Sequence, residues 1–208
     1  DGVLYRGDTA IPGVGEAMGK LQNAGMDMVA LTNNARASAQ DYSTKLADMG
    51  IHLGAERIIT AGQAMAQYLA TQSQTPTVFV AGSPALQREI EAIGAVCSER
   101  PDFVVAGIDL EMPLSVLAVA VGHLHRGAKL VATNPDNMLP VGQGVEPEAA
   151  AVVAFLQAAS GQTAYIVGKP NPAIFTLALA RLGLPTDAVA MVGDTAETDI
   201  AGATAAGL

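Results

Sequence analysis

Apolar runs of strand length alternate along the chain with longer stretches that carry apolar residues at helical spacing. That alternation is the pattern of an α/β fold with parallel strands. VGEAMGKLQNAG sets Val14, Ala17, Met18 and Leu21 on one helical face and stops at Gly25, a C-capping residue. MDMVALTNN then reads as a buried strand running into a polar loop. SAQDYSTKLADMG opens with Ser38 and Asp41 at capping-box spacing and closes at Gly50. Further strands are predicted at TVFVAG, DFVVAGI, AKLVATN, AYIVG and AVAMVGD. Further helices are predicted at PALQREIEAIG, PLSVLAVAVGHLHRG, EPEAAAVVAFLQAASG, PAIFTLALARLG and ETDIAGATAAG. The polar stretch ATQSQTPT, Ala70 to Thr77, is the most linker-like and offers a domain boundary.

Composition narrows the classes. With 208 residues, half of them apolar, the chain can bury a sizeable core. Lys and Arg number 11 against 20 Asp and Glu, a net charge of −9 with no basic cluster, which argues against a nucleic-acid or anionic-membrane partner. The longest apolar run, LSVLAVAVG, falls far short of the ~18 residues a membrane span requires. The single cysteine, Cys97, allows no internal disulfide and fits a reducing, cytoplasmic setting.

Four polar sites fall at the C-terminal ends of predicted strands, where open α/β sheets place their ligand crevice. They are Asp1 in DGVL, Thr32-Asn33-Asn34 in LTNN, Lys169 in VGKPNP, and Asp194 with Asp199 in VGDTAETDI. The set suits phosphoryl transfer: carboxylates hold Mg²⁺, while hydroxyl, amide and ammonium donors hold phosphoryl oxygens. Each site alone has a plainer reading as a turn, a helix cap, a solvated lysine or acids at a helix start. Their joint occurrence, in order and each at a strand end, favours one shared site. GVGEAMG reads as a helix start rather than a dinucleotide loop, and His52, His123 and His125 as surface or helix-end residues. Met18, Met26, Met28 and Met49 read as core, and Cys97 as packing.

These motifs, in this order, resemble the haloacid dehalogenase (HAD) superfamily of phosphatases. LTNN, GAKLVATNPDNMLP, GKPNPAIF and GDTAETDIAGATAAG are most similar to its NagD and 4-nitrophenylphosphatase-like branch. The resemblance implies a Rossmann-like core with a parallel sheet over residues 1–74 and 164–208, interrupted by an α/β cap at 75–163. Asp1 matches the second Asp of the family's first motif, so the nucleophilic Asp and its strand are expected ahead of it. AGATAAGL, without a closing strand, likewise reads as truncated.

By the same resemblance, Asp1 is the general acid and base, and its main-chain carbonyl joins Asp194 in holding Mg²⁺. Thr32, Asn33, Asn34 and Lys169 hold the phosphoryl group, and Asp199 orders Lys169 or a metal-bound water. In the cap, Asn137, Met138 and Leu139 face the leaving group, with Asn134 and Asp136 fixing the loop by local hydrogen bonds. The function implied is Mg²⁺-dependent hydrolysis of small phosphate monoesters (sugar, nucleotide or glycol phosphates) through an aspartyl-phosphate. The partner is a small phosphorylated metabolite, and a homodimer is one expectation for assembly. A phospho-acceptor signalling module is the alternative, although the 137 residues from Thr32 to Lys169 fit it poorly. A catalytically inactive small-molecule binding protein is another.

Overall fold

The computed structural model describes residues 2–141 and 144–208. A short antiparallel hairpin, β1 (Tyr5–Arg6) and β2 (Thr9–Ala10), precedes α1 (Val14–Asn23). Next come β3 (Ala30–Thr32), α2 (Ala39–Asp48), β4 (Ile58–Thr60) and α3 (Ala61–Gln72). β3 and β4 pair in parallel, with Thr32 opposite Thr60. The helix after β3 is launched by a complete capping box: Ser38 Oγ accepts the Asp41 N–H at 3.1 Å, and Asp41 Oδ2 accepts the Ser38 N–H at 2.9 Å. These bonds satisfy two amide groups that a helix start otherwise leaves unpaired.

The middle of the chain is a second parallel sheet. It draws on β5 (Thr77–Ala81), β6 (Val96–Cys97), β7 (Phe103–Ala106) and β8 (Lys129–Ala132), with α4 (Pro84–Glu91) and α5 (Leu114–His125) as crossovers. A hairpin, β9 (Met138–Val141) and β10 (Gly144–Pro147), and α6 (Ala149–Ser160) lead into β11 (Tyr165–Ile166). The strand order is β11-β8-β7-β5-β6, all parallel. α7 (Pro172–Leu182) follows, and a π-helical turn, Ala196–Ile200, runs into α8 (Ala201–Ala205).

Both faces of this sheet are covered, so its central strand, β7, is apolar and buried at every position. Along β7, Phe103 and Val105 pack with α3, α7 and β4, while Val104 and Ala106 pack with α5 and α6. The first of these clusters is continuous from Ile59 and Met65 through Val78 to Ile174 and Phe175. It therefore ties the two sheets together. The C-terminal strand edges also connect: Gly168 N–H donates to the Thr133 carbonyl at 2.8 Å, and Thr133 N–H to Ala106 at 3.0 Å. That edge is where the polar residues collect.

Several expectations are corrected. AVAMVGD forms no ladder among the described residues, and Val192 is 74 % exposed, because an apolar run becomes a strand only beside a neighbour. Ala70–Gln72 belong to α3 rather than to a linker. On α1 only Met18 is buried; Ala17 and Leu21 face outward. Met26 and Cys97 are exposed, whereas His123 is buried against Phe79, its ring nitrogen bonded to Arg126 at 2.9 Å. Among the described residues no helix is long and apolar enough to cross a membrane.

Candidate active site

Thr32 ends β3, and the chain turns there because its hydroxyl accepts the Asn34 N–H at 3.1 Å. The Asn34 side chain repeats the motif two residues on, accepting the Arg36 N–H at 2.8 Å. Such side-chain turns let a loop leave a sheet without stranding its amides. The Thr32 hydroxyl also meets the Tyr42 phenol, whose burial holds it protonated far above the ordinary range.

Asn33, between them, is 8 % exposed and fully engaged. Its Oδ1 accepts the Lys169 N–H at 2.7 Å, and its Nδ2 donates to the Lys169 carbonyl at 3.1 Å and to Asp136 Oδ2 at 3.0 Å. Its main-chain carbonyl accepts from Asn134 Nδ2 at 2.6 Å. Asn134 and Asp136 therefore anchor to a loop more than 100 residues away, not locally as expected. The contact needs Gly168, since a Cβ there would press on the Thr133 carbonyl and on Asn33 Oδ1.

Lys169 sits on the turn into α7. Its Nζ donates to Asp199 Oδ1 at 2.6 Å, with the two side chains 13 % and 4 % exposed. Asp199 lies on the π-helical turn, and its other oxygen accepts the Thr195 N–H at 3.2 Å. Gly193 leaves it room, because a Cβ there would overlap the Asp199 side chain. Half-buried Asp136 completes the field. Burial pushes its carboxyl up and nearby Asp199 adds to that, while the Asn33 hydrogen bond and Lys169 draw it down. One ammonium thus faces two carboxylates beside the Thr32–Asn34 loop.

Asp194 is exposed, with its carboxylate laid against the main chain at residue 2. A Cβ on Gly2 would collide with it, and Gly2 holds φ +79°, the left-handed region glycine favours. Asp1 lies outside the described residues. Asn137 directly precedes β9, which Met138 and Leu139 open, Met138 being 58 % exposed. Among the described residues no three acidic, His or Cys side chains converge as a ready-made metal cage.

Sequence reasoning passed over Arg36, Glu146 and Glu148. Arg36 Nη1 donates to Glu146 Oε2 at 2.8 Å and lies 3.7 Å from Glu148 Oε1. Glu148 is 3 % exposed, and neither of its oxygens makes a hydrogen bond of good geometry among the described residues. Burial raises its carboxyl pKa, only partly offset by Arg36, and Asp136 adds to the rise. A carboxyl pKa raised on folding contributes stability that is full below the unfolded carboxyl range and is lost as pH rises through the folded value. Glu148→Gln mimics the protonated acid. The melting temperature of the variant minus that of the parent is expected to be more positive at pH 8 than at pH 5. An equal difference at both would remove the burial argument.

A family model described as haloacid dehalogenase-like hydrolase matches residues 1–96, and a HAD-hydrolase-like model matches residues 166–208. A dihydroxyacetone phosphatase from Corynebacterium glutamicum is 32 % identical, aligned over all of this chain and 76 % of its own length. NagD from Escherichia coli K-12 superposes with a TM-score of 0.92 at 31 % identity, over 100 % of this chain and 82 % of that one. A glycerol phosphate phosphatase from Mycobacterium tuberculosis, solved in complex with magnesium, gives 0.93 at 34 % identity, over 100 % and 63 %.

Proposed function

The chain belongs to the haloacid dehalogenase-like hydrolases, as a NagD-like phosphatase, and from that premise we propose that it is a Mg²⁺-dependent hydrolase of small phosphate monoesters acting through an aspartyl-phosphate. The observation that carries the reading is the buried Lys169–Asp199 pair locked through Asn33 to the Thr32 loop. It fixes a cation beside hydroxyl and amide groups at the end of parallel strands. A preorganised cation of this kind stabilises charge that develops on a phosphoryl group.

In this reading an aspartate two positions before Asp1 attacks phosphorus through its carboxylate oxygen. As the ester P–O bond breaks, the Asp1 carboxyl gives its proton to the departing alkoxide. Water then attacks the aspartyl-phosphate and yields its proton to the Asp1 carboxylate, releasing inorganic phosphate and restoring both acids. Thr32, the Asn33 and Asn34 amides and Lys169 hold the phosphoryl oxygens, and Asp199 orients Lys169.

The residues fit a hard cation, because the exposed Asp194 carboxylate lies against the main chain beside Asp1. Asp194 and the Asp1 carbonyl would hold Mg²⁺, which supplies charge neutralisation at phosphoryl oxygens. Relatives named for dihydroxyacetone and glycerol phosphate support a small, uncharged leaving group, and the single exposed cysteine supports a cytoplasmic setting.

The test is phosphate release from glycerol phosphate, dihydroxyacetone phosphate and 4-nitrophenyl phosphate by the whole protein, with Mg²⁺ and with excess chelator. Release that the chelator abolishes is expected, and no release from any ester would reject the reading. Met138→Ala or Leu139→Ala is expected to change kcat/KM ratios among the esters by roughly tenfold. Equal proportional losses would make these two residues structural.

A further inference from the structure

The charged contacts beside the cluster take no part in the steps above. Arg36 stands on the loop after Thr32-Asn33-Asn34, and its partner Glu146 is the third residue of β10, paired with Leu139 of β9. The same guanidinium lies near Glu148, whose N–H closes the base of the hairpin on the Asn137 carbonyl at 3.1 Å. Arg36 and Glu146 are 29 % and 31 % exposed, so their hydrogen bond is partly shielded from water. Exposed ion pairs contribute little, but a charge-assisted hydrogen bond at a half-dry rim keeps more of its strength.

What the pair holds is an element with little support of its own. A two-stranded hairpin is marginal alone, so its position depends on its tethers. One tether is an amide-to-carboxylate hydrogen bond, from Asn33 to Asp136 just before β9. The second is charged and grips the strand opposite Leu139. Both start from the loop that holds Thr32. We infer that Arg36 and Glu146 form a tether that positions the β9–β10 hairpin against the phosphoryl-holding loop and thereby sets which leaving groups Met138 and Leu139 accept. The inference rests on the phosphatase reading for its consequence, though not for its geometry.

The experiment takes Arg36→Met, Glu146→Gln, the double variant and Arg36→Lys in the whole protein. Amide hydrogen exchange over residues 138–141 and 144–146 is expected to quicken several-fold in either single variant. The double variant adds nothing further, and Arg36→Lys recovers part of the protection. With turnover, kcat/KM for glycerol phosphate relative to 4-nitrophenyl phosphate is expected to shift by about fivefold, through KM more than kcat. Unchanged exchange, additive effects in the double variant, or equal losses on both esters would overturn the tether. A parent that hydrolyses neither ester would refute the phosphatase reading instead, and exchange alone would then decide the tether.

Discussion

Lys169→Met is expected to lower kcat by roughly 10²–10³-fold, the usual loss when one preorganised charge donor is removed from a transition state. It also carries a cost to the fold that a strand-end lysine in the sequence does not suggest. Lys169 is mostly buried, and Asp199 beneath it is almost wholly so. Removing the cation strands a buried carboxylate, which costs about 3–5 kcal/mol. Lys169→Met with Asp199→Asn removes both charges and is expected to restore most of the stability while turnover stays lost. Chemical denaturation and phosphate release on the two variants separate these effects. Recovery of turnover in the double variant, or undiminished turnover in Lys169→Met, would take Lys169 out of the chemistry.

Asp194→Asn is expected to behave in the opposite way, losing activity with little change in stability. The carboxylate is exposed and makes no ion pair among the described residues, so the amide should alter stability by no more than ~0.5 kcal/mol. Losing its charge removes an acid that lies against the main chain beside Asp1, and a fall of at least ~10²-fold in turnover is expected at moderate Mg²⁺. Part of that loss should return as Mg²⁺ is raised. Normal hydrolysis by the Asn variant, or a melting temperature reduced as far as in Lys169→Met, would contradict the assignment.

What could be read from sequence was local. The Ser38–Asp41 box, Gly25 and Gly50 at positive φ after their helices, and four strands of the five-stranded sheet (β5, β7, β8 and β11, but not the two-residue β6) all follow from residues a few positions apart. β4 escaped notice because three residues, Ile58–Thr60, carry no periodicity. α3 did so because its Ala- and Gln-rich sequence shows only a weak apolar stripe, and β9–β10 because prolines at positions 140 and 147 speak against a strand. Thr32, Lys169 and Asp199 stood out by residue type and strand-end position. The roles of Asn33, Asp136, Arg36 and Glu146 did not, because each depends on a partner 103 to 136 residues away. Only the folded topology sets that distance.

Asn33 has one more consequence. Its side-chain amide grips both the N–H and the C=O of Lys169, offering one donor and one acceptor as a neighbouring strand would. The loop residue that bears the cation is thereby built into the sheet edge as though it were another rung. Gly168, bonded to Thr133 just before it, extends the same edge. Loops that carry function often soften before the scaffold and inactivate an enzyme while it is still folded. Here the cation has no such independent softness. As the protein is heated, the main chain at Lys169 is expected to hold its place as long as the sheet edge does, so loss of turnover and unfolding are expected to coincide.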